Sequence, residues 1–160
     1  MLNLLAESYD LSKYMYQAVE NEFTIVHLAA SFGCFKVVLY FIDKHGFNLD
    51  YYNPPLHRLT LLHVVAKFHL NRFSDEEKKD ISELIKRSNN LLLKNNFGKT
   101  IVTLAKSMNN YNEEFLKTEI EAAIGEKIRG LAFVIDSVLR KQKTTINKYI
   151  LRDIYKYLDG

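Results

Sequence analysis

One seven-residue phrase that occurs three times constrains this chain more than any other feature. Its copies begin at Thr24 (TIVHLAA), Thr60 (TLLHVVA) and Thr100 (TIVTLAK), so successive copies are 36 and 40 residues apart. Sequence repeats of this length are units of secondary structure that bury their apolar faces only by stacking on one another. The chain is therefore predicted to be an array of similar units, and such arrays usually present a binding surface to another macromolecule.

The residues of the first copy predict a helix, a turn and a second helix. Thr24 can cap the first helix by accepting a backbone N–H, and His27 is placed to return to the same capping turn. Gly33 allows the positive φ that reverses the chain. Apolar residues at helical spacing then predict a second helix that ends at Gly46. Phe47–Asp50 are expected to run out extended, as a finger toward the next unit.

The second and third units vary this plan. Ser74 and Glu77 form a capping box that predicts the start of the second unit's outer helix. The turn glycine is replaced by His69 and Asn109, of which asparagine tolerates positive φ and histidine predicts a remodelled turn. Pro54-Pro55 lies in an insertion that should stiffen and lengthen the finger between the first two units.

Together these features resemble the ankyrin repeat, whose pattern is T-P-L-H-L-A-A, a turn glycine, an aliphatic second helix and G-A-D-V-N. The match covers about residues 20–124, with Gly46–Asp50 as the clearest finger. The departures from the pattern are Ile25, Leu61 and Ile101 at the proline position and Thr103 at the third histidine.

The resemblance implies an all-α fold, an ankyrin-repeat solenoid of about three stacked helix-turn-helix units with helical caps at both ends. The expected parts are N-terminal capping helices in residues 1–22, a repeat domain over 23–124 and a C-terminal helical cap or docking element over 125–160. An open stack needs such caps because each end leaves an apolar face. The helices expected in the flanks run from Ser12 to about Glu20, over 125–140 and over 146–158.

We find no pattern for catalysis, for a cofactor or for a metal. His57, His63 and His69 are six residues apart, whereas helical metal ligands lie three or four apart. Cys34 has no Asn or Asp placed to orient a histidine base, and it falls in a turn where small side chains pack. Phosphate-binding glycine loops and zinc-type cysteine pairs do not occur in the sequence. A non-enzymatic protein without cofactor or metal is expected.

Cysteine content predicts a reducing compartment. The single cysteine cannot form an internal disulfide. The longest apolar run, Val37–Ile42, is too short to span a membrane, and the first residues do not resemble a secretory signal. Degenerate ankyrin arrays rich in Lys, Asn, Ile and Tyr resemble those of intracellular bacterial effectors and large DNA viruses. The expected location is therefore the cytoplasm, or a host cytosol after delivery.

The resemblance also implies where a partner binds. Ankyrin ligands contact the fingers and the concave inner-helix face, just after the small-residue pair of each first helix. A monomer that binds another protein, such as a host protein, is expected. The alternative to partner binding is that the chain covers this face itself, with residues 1–20 or with the loop 67–74. The predicted contact residues are Phe32, Tyr51, Tyr52, Asn53, His57, Arg58, Lys67, Phe68, Asn96, Phe97, Lys99 and Met108.

Two further functions remain open from the sequence. Residues 125–160 hold 8 Lys/Arg and 4 Asp/Glu, so the C-terminal helices could bind nucleic acid or another anionic surface, although a solvated helical face explains the charge more simply. Nucleic acid is not the expected partner. The repeats could also be the scaffold fragment of a larger effector. The cations of the C-terminal alternative are Arg140, Lys141, Lys143, Lys148, Arg152 and Lys156.

Overall fold

The protein is mostly helical over the residues that the computed structural model describes, which are 14–20, 23–52 and 58–141. The all-α prediction is correct at this level. Within these ranges no helix is long and apolar enough to cross a bilayer. The helices are α1 Ile25–Ser31, α2 Phe35–His45, α3 Leu61–Phe68, α4 Asp75–Arg87, α5 Ile101–Ser107 and α6 Glu113–Lys141, and a short antiparallel pair is formed by β1 Ala18–Glu20 and β2 Phe23–Thr24.

The helices α1, α3 and α5 begin with the same type of cap. Thr24 accepts from the backbone N–H of His27 at 3.3 Å, and its hydroxyl lies 2.7 Å from Nδ1 of the same histidine. Thr60 and His63 repeat this contact at 2.8 Å. In the third copy, Oγ1 of Thr103 accepts from the backbone N–H of Thr100 at 2.8 Å. The threonine that replaces the histidine therefore still closes the capping box.

Each capped helix is followed by a turn and a second helix. Gly33 and Gly46 adopt positive φ, at 76° and 66°, and Asn109 does so at 51°, as predicted. His69 has φ −88°, so the turn of the second unit is remodelled, also as predicted. Ser74 caps α4 through a capping box with Glu77.

Equivalent helices pack side by side in unit order. Helix α1 contacts α3, α3 contacts α5, and α2 contacts α4. Nε2 of His63 donates to the carbonyl of Lys99, just before α5, and Nδ2 of Asn110, just after α5, donates to the carbonyl of Ala66 near the end of α3. Helices α3 and α5 therefore run parallel. The fully buried large side chains along these contacts include Val26, Phe35, Leu61, Leu62, Ile81, Leu84, Ile85 and Ile101.

The helix predicted from Ser12 to Glu20 is wrong over its described part. Residues 14–17 form a turn, and Ala18–Glu20 form β1. Tyr16 explains the difference, because its ring stacks on Phe47 at 5.1 Å and its hydroxyl accepts from the backbone of Asn48. These contacts distant in sequence outweigh the weak local helical preference. Residues 1–13 lie outside the described ranges.

At the other end, the helix expected over 125–140 is present as the later part of a longer one. Helix α6 continues without a break from Glu113 to Lys141. Residue 124, the predicted end of the repeat domain, therefore falls inside this helix. The chain divides into two compact units, Met1–Thr118 and Glu119–Gly160. The helix predicted over 146–158 and the cations from Lys143 onward lie outside the described residues.

Candidate interaction surface

Two exposed phenylalanines from consecutive units line one groove. Phe32 follows α1 and Phe68 ends α3, each eight residues after its capping threonine. Their side chains are 77% and 41% exposed. The groove has a volume of about 250 Å³, and its other lining residues are Ser31, His69, Leu70 and Asn71. The structure therefore brings together Phe32 and Phe68, two of the contact residues predicted on the inner-helix face.

The loop after α3 forms a wall of this groove and leaves Phe32 open. Phe73 is buried, and its backbone N–H donates to Oδ1 of Asn112 at 2.9 Å. Nδ2 of Asn112 donates to the carbonyl of Asn71 at 2.7 Å, and Nδ2 of Asn110 donates to that of His69 at 3.0 Å. Two asparagines thus hold the loop by its backbone, and loop 67–74 does not cover the face.

Phe68 has a structural contact that Phe32 lacks among the described residues. Its ring meets the ring of Phe23 edge-on, with centroids 5.3 Å apart. Nζ of Lys67 lies 4.9 Å from the Phe68 centroid, a cation–π distance. A substitution of Phe32 therefore tests partner binding more directly than one of Phe68, which would also disturb the packing against β2.

The first finger divides into an anchored residue and an exposed pair. The half-buried ring of Tyr51 lies edge-on to that of Tyr16, with centroids 4.7 Å apart, and it also neighbours His27. Tyr52 is 36% exposed, and the guanidinium of Arg58 lies 4.9 Å from its ring centroid. Of the predicted contact residues here, Tyr52 and Arg58 are available and Tyr51 is largely structural. The predicted contacts Asn53 and His57 lie outside the described residues.

The second finger is shaped by Asn95. Its Oδ1 accepts from the backbone N–H groups of Phe97 and Lys99, at 2.9 and 3.0 Å. The backbone of Lys99 is also bonded to His63, so the finger is fixed to the second unit. This geometry leaves the side chains of Asn96 and Phe97 exposed, the latter at 63%.

Met108, the contact residue predicted on the inner-helix face of the third unit, is 37% exposed at the end of α5. The sequence interpretation missed other exposed side chains, namely Leu70 on the groove wall and Tyr111 beyond α5. Leu70 lies in the loop 67–74, where no position of the repeat pattern assigns its direction. Tyr111 is 73% exposed and carries Arg72 at 5.6 Å from its ring.

The buried histidines under this surface are neutral near pH 7. Burial lowers the pKa of His27 to about 4, partly opposed by the backbone of Tyr51. Burial also lowers the pKa of His63, against the opposing carbonyl of Lys99. Within the described ranges, no three His, Cys, Asp or Glu side chains are grouped to hold a metal ion.

No protein-family model, curated protein or solved structure matches this chain. The ankyrin resemblance therefore depends on the residues of the chain itself.

Proposed function

We propose that this protein is a protein-binding module built as a divergent ankyrin-type stack, whose partner occupies the groove between Phe32 and Phe68 and contacts the fingers. The stack is supported by the three capped helices, the turns after them and the parallel packing of α3 beside α5. An intracellular protein is the partner we propose, since the single cysteine suits a reducing compartment.

The observation that carries this proposal is the exposure of Phe32. Its ring is 77% exposed, although it lines a groove that a loop of the same chain could have covered. Burying a phenylalanine side chain is worth up to about 3 kcal/mol. Rigid aromatic anchors at the centre of a surface are also the residues that dominate protein interfaces. A partner side chain in this groove would recover that energy.

The test compares Phe32→Asp with Tyr111→Asp in affinity capture from eukaryotic cell lysate, read by quantitative mass spectrometry. Tyr111 is a matched control because it is an aromatic residue of similar exposure, 73%, that does not line the groove. We expect Phe32→Asp to lose specific partners that the wild type and Tyr111→Asp retain. Both variants should melt within a few degrees of the wild type, because neither ring is in the core.

If the Phe32→Asp variant captures the same proteins as the wild type, the groove is not the binding surface. If it instead melts far below Tyr111→Asp, Phe32 contributes to the packing of the fold, and the groove is a structural feature.

A further inference from the structure

The charges of the repeat region are segregated by element. The first helices, the turns after them and the predicted contact residues of the fingers lie in residues 23–34, 51–74 and 88–112, which contain no Asp or Glu. The carboxylates between residues 23 and 112 all lie in 35–50 and 75–87, which include the outer helices α2 and α4. The cations of the carboxylate-free segments are Arg58, Lys67, Arg72, Lys94, Lys99 and Lys106.

Ion pairing follows the same division. Lys36 pairs with Glu76 and Arg87 pairs with Asp43, so carboxylates and cations of α2 and α4 neutralise each other. Among the described residues, no carboxylate lies within salt-bridge distance of the six cations named above. Asp50, at the base of the first finger, is engaged elsewhere, by the hydroxyl of Ser88 at 2.6 Å.

Three of the six cations lie on aromatic rings. Arg58 is placed over Tyr52, Lys67 over Phe68 and Arg72 over Tyr111. Proteins that bind single-stranded nucleic acid stack bases on open aromatic faces. Here a cation already occupies one face of each of these rings, while its charge stays available to an incoming carboxylate. The groove between Phe32 and Phe68 lies beside one of these cations, Lys67, so a peptide that carries an apolar side chain next to a carboxylate would meet both.

We infer that the partner presents an acidic segment, with an apolar side chain that enters the groove between Phe32 and Phe68. Its flanking carboxylates pair with Lys67 beside the groove and with the finger cations Arg58 and Lys99. This inference rests on the proposed function and specifies its partner. Complementary charge of this kind steers association and suppresses wrong partners, and it weakens as salt screens it.

The test selects short random peptides from a display library on the immobilised full-length chain. We expect enrichment of Asp and Glu around an apolar residue, and weaker binding of the selected peptides in raised salt. The double variant Arg58→Glu/Lys67→Glu should bind them roughly tenfold or more weakly. The matched control, Lys44→Glu/Lys86→Glu, makes the same change of net charge on α2 and α4 and should bind them as the wild type does.

The other outcomes separate this inference from the proposed function. Selected peptides that require Phe32 but show no enrichment of Asp or Glu overturn the inference and leave the proposed function standing. An equal loss of binding in the two double variants shows only a net-charge effect and also overturns it. Selection of no peptide that requires Phe32 overturns both. Labelled oligothymidylate or oligouridylate that displaces the selected peptides in a Phe32-dependent manner assigns the surface to nucleic acid instead.

Discussion

Gly33 lets the first two units pack closely because it has no side chain. It adopts φ +76°, and a Cβ at this position would lie 2.8 Å from Cε1 of His69 and 3.0 Å from Oε1 of Glu77. His69 is held there by a stacked contact with Phe73, with ring centroids 5.1 Å apart, and by an edge contact with Phe35. The histidine that replaces the turn glycine of the second unit therefore packs against the turn glycine of the first.

We predict that Gly33→Ala destabilises the protein more than Gly46→Ala. Gly46 has nearly the same φ, +66°, but nothing lies within 4 Å of its missing Cβ. The Gly46→Ala variant therefore measures backbone strain alone, about 1–2 kcal/mol. Gly33→Ala adds the displacement of His69, which should raise the loss of unfolding free energy by at least about 1 kcal/mol. Urea denaturation of both variants measures the difference, and equal losses would show that His69 yields without cost.

At the scale of the helix, the caps couple stability to pH. The pKa of His27 is about 4 in the folded protein and 6.5 for the unperturbed side chain, because burial disfavours the charged ring. As the pH falls below 6.5, the unfolded chain binds a proton at this position before the folded chain does. The free energy of unfolding therefore decreases from about pH 6.5 down to about pH 4, by on the order of 3 kcal/mol from His27. His63, whose pKa is also lowered by burial, contributes in the same direction.

The matched variant for this pH effect is His27→Thr, which copies the cap that Thr103 forms with Thr100. We predict that it keeps a folded α1 but shows a smaller loss of stability between pH 7 and pH 5 than the wild type. Urea denaturation at the two pH values gives the comparison. An unchanged loss in the variant would mean that other groups cause the acid sensitivity.

Elements governed by local chemistry could be read from the sequence, and elements governed by distant contacts could not. The caps at Thr24 and Ser74 need only residues three positions away, and both are present as predicted. The sequence predicts a helix over Ala18–Glu20, whereas this segment forms β1, because the contacts of Tyr16 with Phe47 and Asn48 are distant in sequence and leave no local signal. The candidate site divides in the same way. The repeat pattern places Phe32 on the inner-helix face but leaves open whether the chain itself covers it, and the contact between Phe68 and Phe23 has no signal in the sequence.

At the scale of the whole molecule, the proposed stack makes the second unit the link between its neighbours. Helix α3 contacts both α1 and α5, and His63 and Asn110 add hydrogen bonds between the second and third units. In a stack whose units touch only their neighbours, stability is a sum of unit and interface terms. A destabilising substitution in the second unit should therefore weaken the first and third units as well, and one in the first unit should weaken only the second unit besides its own.

Val64→Ala and Val26→Ala test this arrangement with the same chemical change. Val64 lies in α3 and Val26 in α1, and both side chains are fully buried. Each truncation should cost about 2 kcal/mol, because it leaves a cavity in a packed interior. We predict that Val64→Ala lowers amide hydrogen-exchange protection in α1, α3 and α5, whereas Val26→Ala lowers it in α1, α2 and α3 and leaves α5 nearly unchanged. Uniform loss of protection in both variants would show that the helices unfold as one cooperative body. The nearest-neighbour stack would then be the wrong description of how this protein is stabilised.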